Sequence, residues 1–320
     1  MVLGAGFGLA GCASPPPAPA APTAAAVRPT SNPQPPTPNP QPPSPAPNPQ
    51  PPTPNTRVAV AKGSSPEAIT RAAVEALGGM SRFVKKGNRV VVKPNILTAA
   101  EPQYAVSTNP QVMAALVKMC LEAGAGLVQV FDYPTTSVST ACQRSGIEQA
   151  VTAAGGRMDR MSQLKFKKTD IPRGRDIKSW QIYEDALTVD VLIDATIAKT
   201  HDLAVLTMGM KNLMGVIENR GAFHSNLGQR LADLSTVVRP TLTVIDAVRV
   251  LVRNGPTGGS LSDVREMDTV IASTDIVAAD SYGATLFGKK GSDLSYVRIA
   301  AEMGLGIMDL NQVEIKEVRA

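Results

Sequence analysis

Cysteine, histidine and aromatic side chains are scarce in this sequence. Its 320 residues hold three Cys, two His, one Trp and 4% aromatics. Three cysteines in a chain of this length exclude a disulfide scaffold. Long hydrophobic runs are missing too. No stretch reaches the roughly 18 apolar residues an ordinary transmembrane helix needs. Charge of one sign is also lacking. The net charge is +5, from 32 basic and 27 acidic residues. No long Lys or Arg run concentrates that excess, so no nucleic-acid surface is expected, nor a polybasic membrane patch. Length alone suggests one or two domains.

Proline is plentiful, but in one place. Of 27 prolines, 19 lie between Pro15 and Pro54. The first 56 residues carry a single charged side chain, Arg28. Three segments follow from this: residues 1–12, 13–56 and 57–320. In the first, Leu9-Ala10-Gly11-Cys12 follows an apolar stretch and resembles a bacterial lipobox. Small residues before the Cys suit a peptidase groove, and the Cys thiol would carry the lipid. The expectation is a signal-peptide remnant and a lipoprotein anchored through Cys12 to the periplasmic face of a bacterial cell envelope. No Lys or Arg precedes Cys12, so a basic leader region is expected upstream of Met1. Residues 13–56 repeat Asn-Pro-Gln-Pro-Pro from Asn32, Asn39 and Asn48. Proline fixes φ and lacks an N–H, so this stretch is expected to be a disordered, extended linker. At ~3.1 Å per residue it would reach roughly 130 Å.

From Arg57 onward, strand and helix patterns alternate. Apolar strands are expected at Val58–Ala61, Arg89–Val92, Leu127–Phe131, Val189–Ala198 and Leu242–Ile245. Helices are expected from Pro66 to Leu77, from Pro110 to Glu122, and over Ile147–Ala154, Val205–Ile217, Leu227–Val237, Ile276–Phe287 and Leu294–Met303. Residues 157–187 read as a strand-rich excursion. The fold class is α/β: a mostly parallel sheet with helices on both faces. Strand order is not legible.

In such sheets, ligands bind beyond the carboxyl ends of the strands. Four of these strands run into polar residues: Lys93-Pro94-Asn95, Asp132, Lys199-Thr200-His201-Asp202 and Asp246. If the strands are parallel, all four groups share one rim. The segment Leu203–Ile217 adds to this. It is apolar nearly all round, which is the mark of a buried helix, yet Lys211 and Asn212 sit in its middle. A buried Lys is costly unless paired. Thr207, Lys211 and Gly215 have helical spacing and would line one face. The only histidines, His201 and His224, flank the same segment. Each suits a general acid–base role, or ligation of a divalent metal with Asp132 or Asp246. No HExxH or Cys/His cluster supports a zinc site. The loop Asn254–Gly259 offers backbone N–H groups to an anion without a recognised phosphate-binding spacing. Asp275 reads as a helix cap, and Asp280 as a weaker site candidate.

Together these motifs resemble domain-of-unknown-function family 362, whose members are often labelled iron–sulfur centre proteins. The resemblance rests on Val92-Lys93-Pro94-Asn95, Ser107-Thr108-Asn109-Pro110, Ala198-Lys199-Thr200-His201, Met210-Lys211-Asn212-Leu213-Met214-Gly215, His224, Val244-Ile245-Asp246-Ala247, Gly255-Pro256 and Ala278-Ala279-Asp280. It implies one α/β domain and, in many members, export by a twin-arginine signal. Members that merit the iron–sulfur label carry a ferredoxin-like run of cysteines. Here only Cys12, Cys120 and Cys142 are present, and a four-iron cluster needs four ligands, so no such cluster is expected. The cofactor is otherwise open.

Two classes of function fit. In the first, Lys93, Lys199 and Lys211 bind a small anion together with Asn95, Thr200 and Asn212. His201 and His224 then act as acid and base, and Asp132 or Asp246 orients or holds a cation. In the second, the lipoprotein binds a ligand, metal or partner at the end of its tether without turnover.

Overall fold

The structure is a computed structural model, and it describes residues 56–320. The lipobox, Cys12 and the proline-rich stretch lie outside the described residues, except for Thr56 at its end.

Eleven strands are described: β1 (Arg57–Lys62), β2 (Arg89–Pro94), β3 (Leu127–Val130), β4 (Arg157–Met158), β5 (Phe166–Asp170), β6 (Ser179–Tyr183), β7 (Val191–His201), β8 (Val205–Thr207), β9 (Leu242–Leu251), β10 (Val264–Ser273) and β11 (Glu314–Arg319). The main sheet runs β11-β1-β10-β9-β7-β2-β3-β4, with β8 folded back on β7, and β5 and β6 pair separately. Within the main path only β10 runs against its neighbours. The sheet is therefore mixed but mostly parallel.

The helices are α1 (Pro66–Glu75), α2 (Pro110–Glu122), α3 (Val138–Arg144), α4 (Ile147–Ala153), α5 (Asp185–Thr188), α6 (Gly209–Asn212), α7 (Arg220–Phe223), α8 (Leu227–Leu234), α9 (Ile276–Thr285) and α10 (Ser295–Glu302). Their starts follow ordinary rules. Ser65 accepts a hydrogen bond from the Ala68 N–H ahead of α1, and Asn109 from the Gln111 N–H ahead of α2. In both helices Pro occupies the first turn, where no N–H is missed.

Successive strand residues feed two separate cores, as a period of two requires. Ala59, Ala61, Val90 and Val92 pack under α1, α2, α3 and α4. Val58, Val60 and Val91 face the other way, onto α8, α9 and α10. Helices thus cover both faces, as the sequence implies.

Two expectations about elements are corrected. Residues 205–217 do not form one helix. They form β8, a turn, α6 and a short 3-10 turn at Leu213–Val216. Val205 takes a positive φ and closes a tight hairpin with β7. The apolar side chains surround this backbone because it is buried on every side, and composition alone does not separate that from a helix. The second correction is length. β9 runs on to Leu251, so Asp246 lies mid-strand opposite Val270 rather than at a strand end. β10 and β11 were not legible in the sequence. Exposed Arg265, Glu266 and Asp268 interrupt the first half of β10, and charged residues take four of the six positions of β11.

Candidate functional site

β2, β3 and β7 are adjacent parallel strands, so their carboxyl ends bring Asn95, Asp132, Lys199 and His201 to one place. The β7–β8 hairpin sets Thr207 directly across from Lys199. α6 and its continuation add Lys211, Asn212 and Gly215, and α7 adds Arg220, with His224 just beyond it. These residues line a cleft of about 320 Å³.

The floor is a network of buried polar groups. Lys93, fully buried, pairs with Asp132 at 3.0 Å and also donates to Asn212 Oδ1 at 3.1 Å and to the Pro94 carbonyl at 2.8 Å. The other Asp132 oxygen accepts the Ile96 N–H at 2.6 Å. Asn95 donates to Asn212 Oδ1 at 2.9 Å and accepts from Lys199 Nζ at 3.0 Å, and Lys199 also reaches the Val106 carbonyl. Asn212 in turn donates to Asp194 at 2.7 Å. Each buried charge has acceptors or a counter-ion, as burial demands. Gly215 is required here, because a Cβ at that position would collide with Asp132 Oδ1 and Lys93 Nζ.

The walls carry the less satisfied groups. Lys211 makes no hydrogen bond or ion pair with another residue. Burial, together with repulsion from Arg220 and Lys93, brings its pKa down to about 8. Burial and the Lys211 charge bring Lys199 down to about 7. Both shifts disfavour the ammonium form. The Thr207 hydroxyl is buried and without a partner. Arg220 lies over the Tyr133 ring at 4.9 Å and donates one Nη to the Tyr133 carbonyl at 2.7 Å.

The two histidines are held as opposite tautomers. His224 Nδ1 lies 2.5 Å from the Arg220 carbonyl, so that nitrogen carries the proton and Nε2 keeps the lone pair. His201 Nδ1 faces the N–H groups of Leu203 and Ala204 at 3.1 and 3.3 Å, so it accepts and Nε2 carries the proton. Asp202 also lies 2.8 Å from that Nδ1, a pairing that needs a protonated ring. Burial and Lys211 hold the His201 pKa down at about 4, so the neutral ring prevails. Burial likewise lowers that of His224.

Four of the sequence-derived candidates lie elsewhere. Lys93 is not at the rim but beneath the floor, committed to Asp132. Thr200 turns away from the cleft. It donates to the Leu251 carbonyl and accepts the Gly255 N–H, which holds the loop bearing Pro256 and Thr257 at the cleft edge. Asp246 accepts the N–H groups of Asn109 and Val248, tying the start of α2 to β9. Asp280 accepts from the Gly209 and Met210 N–H groups and starts α6. Asp194 and Arg220 were not singled out from the sequence. Asp194 sits inside an apolar strand. Arg220 stands four residues before His224, one helical turn away, and that spacing was the available signal.

Among the described residues no group of three or more His, Cys, Asp or Glu could hold a metal ion. Cys120 and Cys142 are separately buried in α2 and α3, and burial raises their thiols to about 12 and about 11. Two protonated core thiols do not fit an iron–sulfur cluster. No described helix is long and apolar enough to cross a membrane.

A buried Lys–Asp–Asn floor thus lies under a cleft bearing three basic side chains, at the carboxyl end of the mostly parallel sheet of an α/β protein. The chain belongs to the family described as Domain of unknown function (DUF362), whose model matches residues 90–285. It is 30% identical over 228 residues to a thylakoid-associated protein of Synechocystis sp., covering 67% of each chain. Among solved structures it is similar to the lactate racemase apoprotein from Thermoanaerobacterium thermosaccharolyticum, with a TM-score of 0.46, 13% identity, and 71% of this chain and 56% of that chain covered. A protein from Thermotoga maritima gives 0.39 and 10%, with 75% and 60% covered. The chain therefore spans less than two thirds of either solved structure.

Proposed function

We propose that the cleft binds a small anion, a carboxylate or a phosphate ester, and that His201 and His224 exchange protons with it. One observation carries this reading: Lys199, Lys211 and Arg220 converge on one cleft where cations outnumber free acids. Asp132 is paired with Lys93, and Asp202, at the cleft edge, is 68% exposed to solvent. Cations brought together without counter-ions repel one another, and an anion between them relieves that repulsion. The opposite tautomers supply a lone pair from His224 and an N–H from His201, the pair that acid–base catalysis needs.

Isothermal titration with lactate, acetate and inorganic phosphate tests the proposal. Micromolar to millimolar binding that weakens in Arg220→Gln supports it. No heat with any of the three, in folded protein, removes it.

We propose further that the domain is held at a membrane surface. The lipobox at Cys12 and the thylakoid-associated relative support this, and a lipid anchor needs no spanning helix. Mass spectrometry of protein extracted from its native envelope tests it, because a diacylglyceryl-modified Cys12 is expected.

A further inference from the structure

The amine of Lys211 is anomalous. Lys93 and Lys199 each donate to two or more acceptors on the cleft floor. Lys211 stands half-buried on the wall of the same cleft and has no acceptor in another residue. Across from Lys199 in the same cleft, the Thr207 hydroxyl is also buried and unpartnered. Two unsatisfied polar groups in one cleft mark a place where a ligand completes the bonding. An ammonium there faces Arg220 and Lys93 with only the exposed Asp202 in its favour, so its proton is readily given up, and the neutral amine is a nucleophile.

We propose that Lys211 forms a Schiff base with the carbonyl of a small 2-oxo acid bound in this cleft. This rests on the anion-binding reading above and names its substrate class. The carboxylate sits against Arg220, which has donors beyond those given to the Tyr133 and Pro134 carbonyls. The carbonyl carbon then meets Lys211 Nζ. A C–N bond forms, the carbonyl oxygen gains the two amine protons and leaves as water, and a C=N bond remains. No oxidant or reductant is needed. His224 Nε2, the free lone pair beside the cleft, relays a proton from nitrogen to the departing oxygen. Thr207 donates to the carbonyl oxygen before it leaves. The lowered Lys211 pKa agrees with a reactive amine, since desolvation and neighbouring cations are the usual means of activating lysine.

Lys199 is the competing nucleophile, and its pKa is lower still. Its amine is tied into the floor by donation to Asn95 Oδ1 and the Val106 carbonyl and is fully buried, whereas Lys211 is half-buried and untethered and so is the freer to reach a ligand.

Reductive trapping tests the proposal. Full-length protein is incubated with pyruvate and sodium cyanoborohydride, then analysed by intact mass and peptide mapping, with acetate binding measured in parallel. One adduct on the peptide bearing Lys211, lost in Lys211→Arg and in Lys211→Met, is expected. The Arg variant keeps the charge, so it separates loss of the nucleophile from loss of fold. Acetate binding without an adduct, or an adduct mapped to Lys199 or scattered over surface lysines, overturns the Schiff base and leaves anion binding standing. Neither binding nor adduct overturns both.

Discussion

Lys93 Nζ and Asp132 Oδ1 lie 3.0 Å apart with 0% and 5% of their side chains exposed. The two residues end neighbouring strands; Asp194 lies across from Lys93 in the β2–β7 ladder but gives its hydrogen-bonded oxygen to Asn212. The rest of the cleft floor is bonded to this pair, directly or through Asn212.

Breaking the pair is therefore expensive. Asp132→Asn should lose about 3–5 kcal/mol of stability in urea unfolding, because Lys93 stays buried without its counter-ion. The double variant Lys93→Met with Asp132→Leu should recover most of that loss. A single variant as stable as the parent would show that the pair does not hold the floor.

Gly215 permits the close approach of this pair to the 3-10 turn. Gly215→Ala forces the floor apart and should cost about 1–3 kcal/mol, seen as a lower melting temperature. An unchanged melting curve would contradict that packing.

Anion affinity should fall as pH rises. The folded-state pKa values of Lys199 and Lys211 are about 7 and about 8, so their charges disappear across that interval. Affinity changes by up to about tenfold per pH unit for each proton lost. Calorimetry at about pH 6 and about pH 9 reads the difference, and equal affinity at both would sink the role of these two lysines.

Asp194 has one oxygen bonded to Asn212 and the other without a partner. Burial raises its pKa from 3.8 to about 8, so at neutral pH it holds a proton. A carboxyl raised in this way stabilises the fold fully below its unfolded value, and the stabilisation is lost as pH rises through the folded one. Between about pH 4 and pH 8, stability should drop by up to about 1.4 kcal/mol per pH unit from this group. Asp194→Asn should fold normally at pH 7 and flatten that slope.

Asp246 separates structure from site. Asp246→Asn removes one acceptor from the Asn109 and Val248 N–H groups and should cost about 1–3 kcal/mol while leaving anion affinity unchanged. Arg220→Gln should do the reverse, weakening the anion by about tenfold or more with little loss of stability. A swap of these two outcomes would redraw the cleft.

The sequence made the rim legible where a run of apolar strand residues stops at a polar one. Asn95, Asp132, Lys199 and His201 follow from that rule. The rule misplaces Asp246, because β9 continues through a second apolar run to Leu251. It misses Asp194, because a buried acid inside a strand looks like any interruption of the apolar pattern. The stretch around Lys211 brought the right residues together for the wrong reason. Thr207, Lys211 and Gly215 do line one cleft, but a hairpin, a short helix and a turn put them there. Burial on all sides removes the periodicity that separates these shapes.

β1 runs in the same direction as β2, β3 and β7, since the reversals at β10 cancel. Arg57, at the first residue of β1, thus stands at the end of the sheet opposite the cleft. The first strand therefore starts at the back of the bowl and runs toward its mouth.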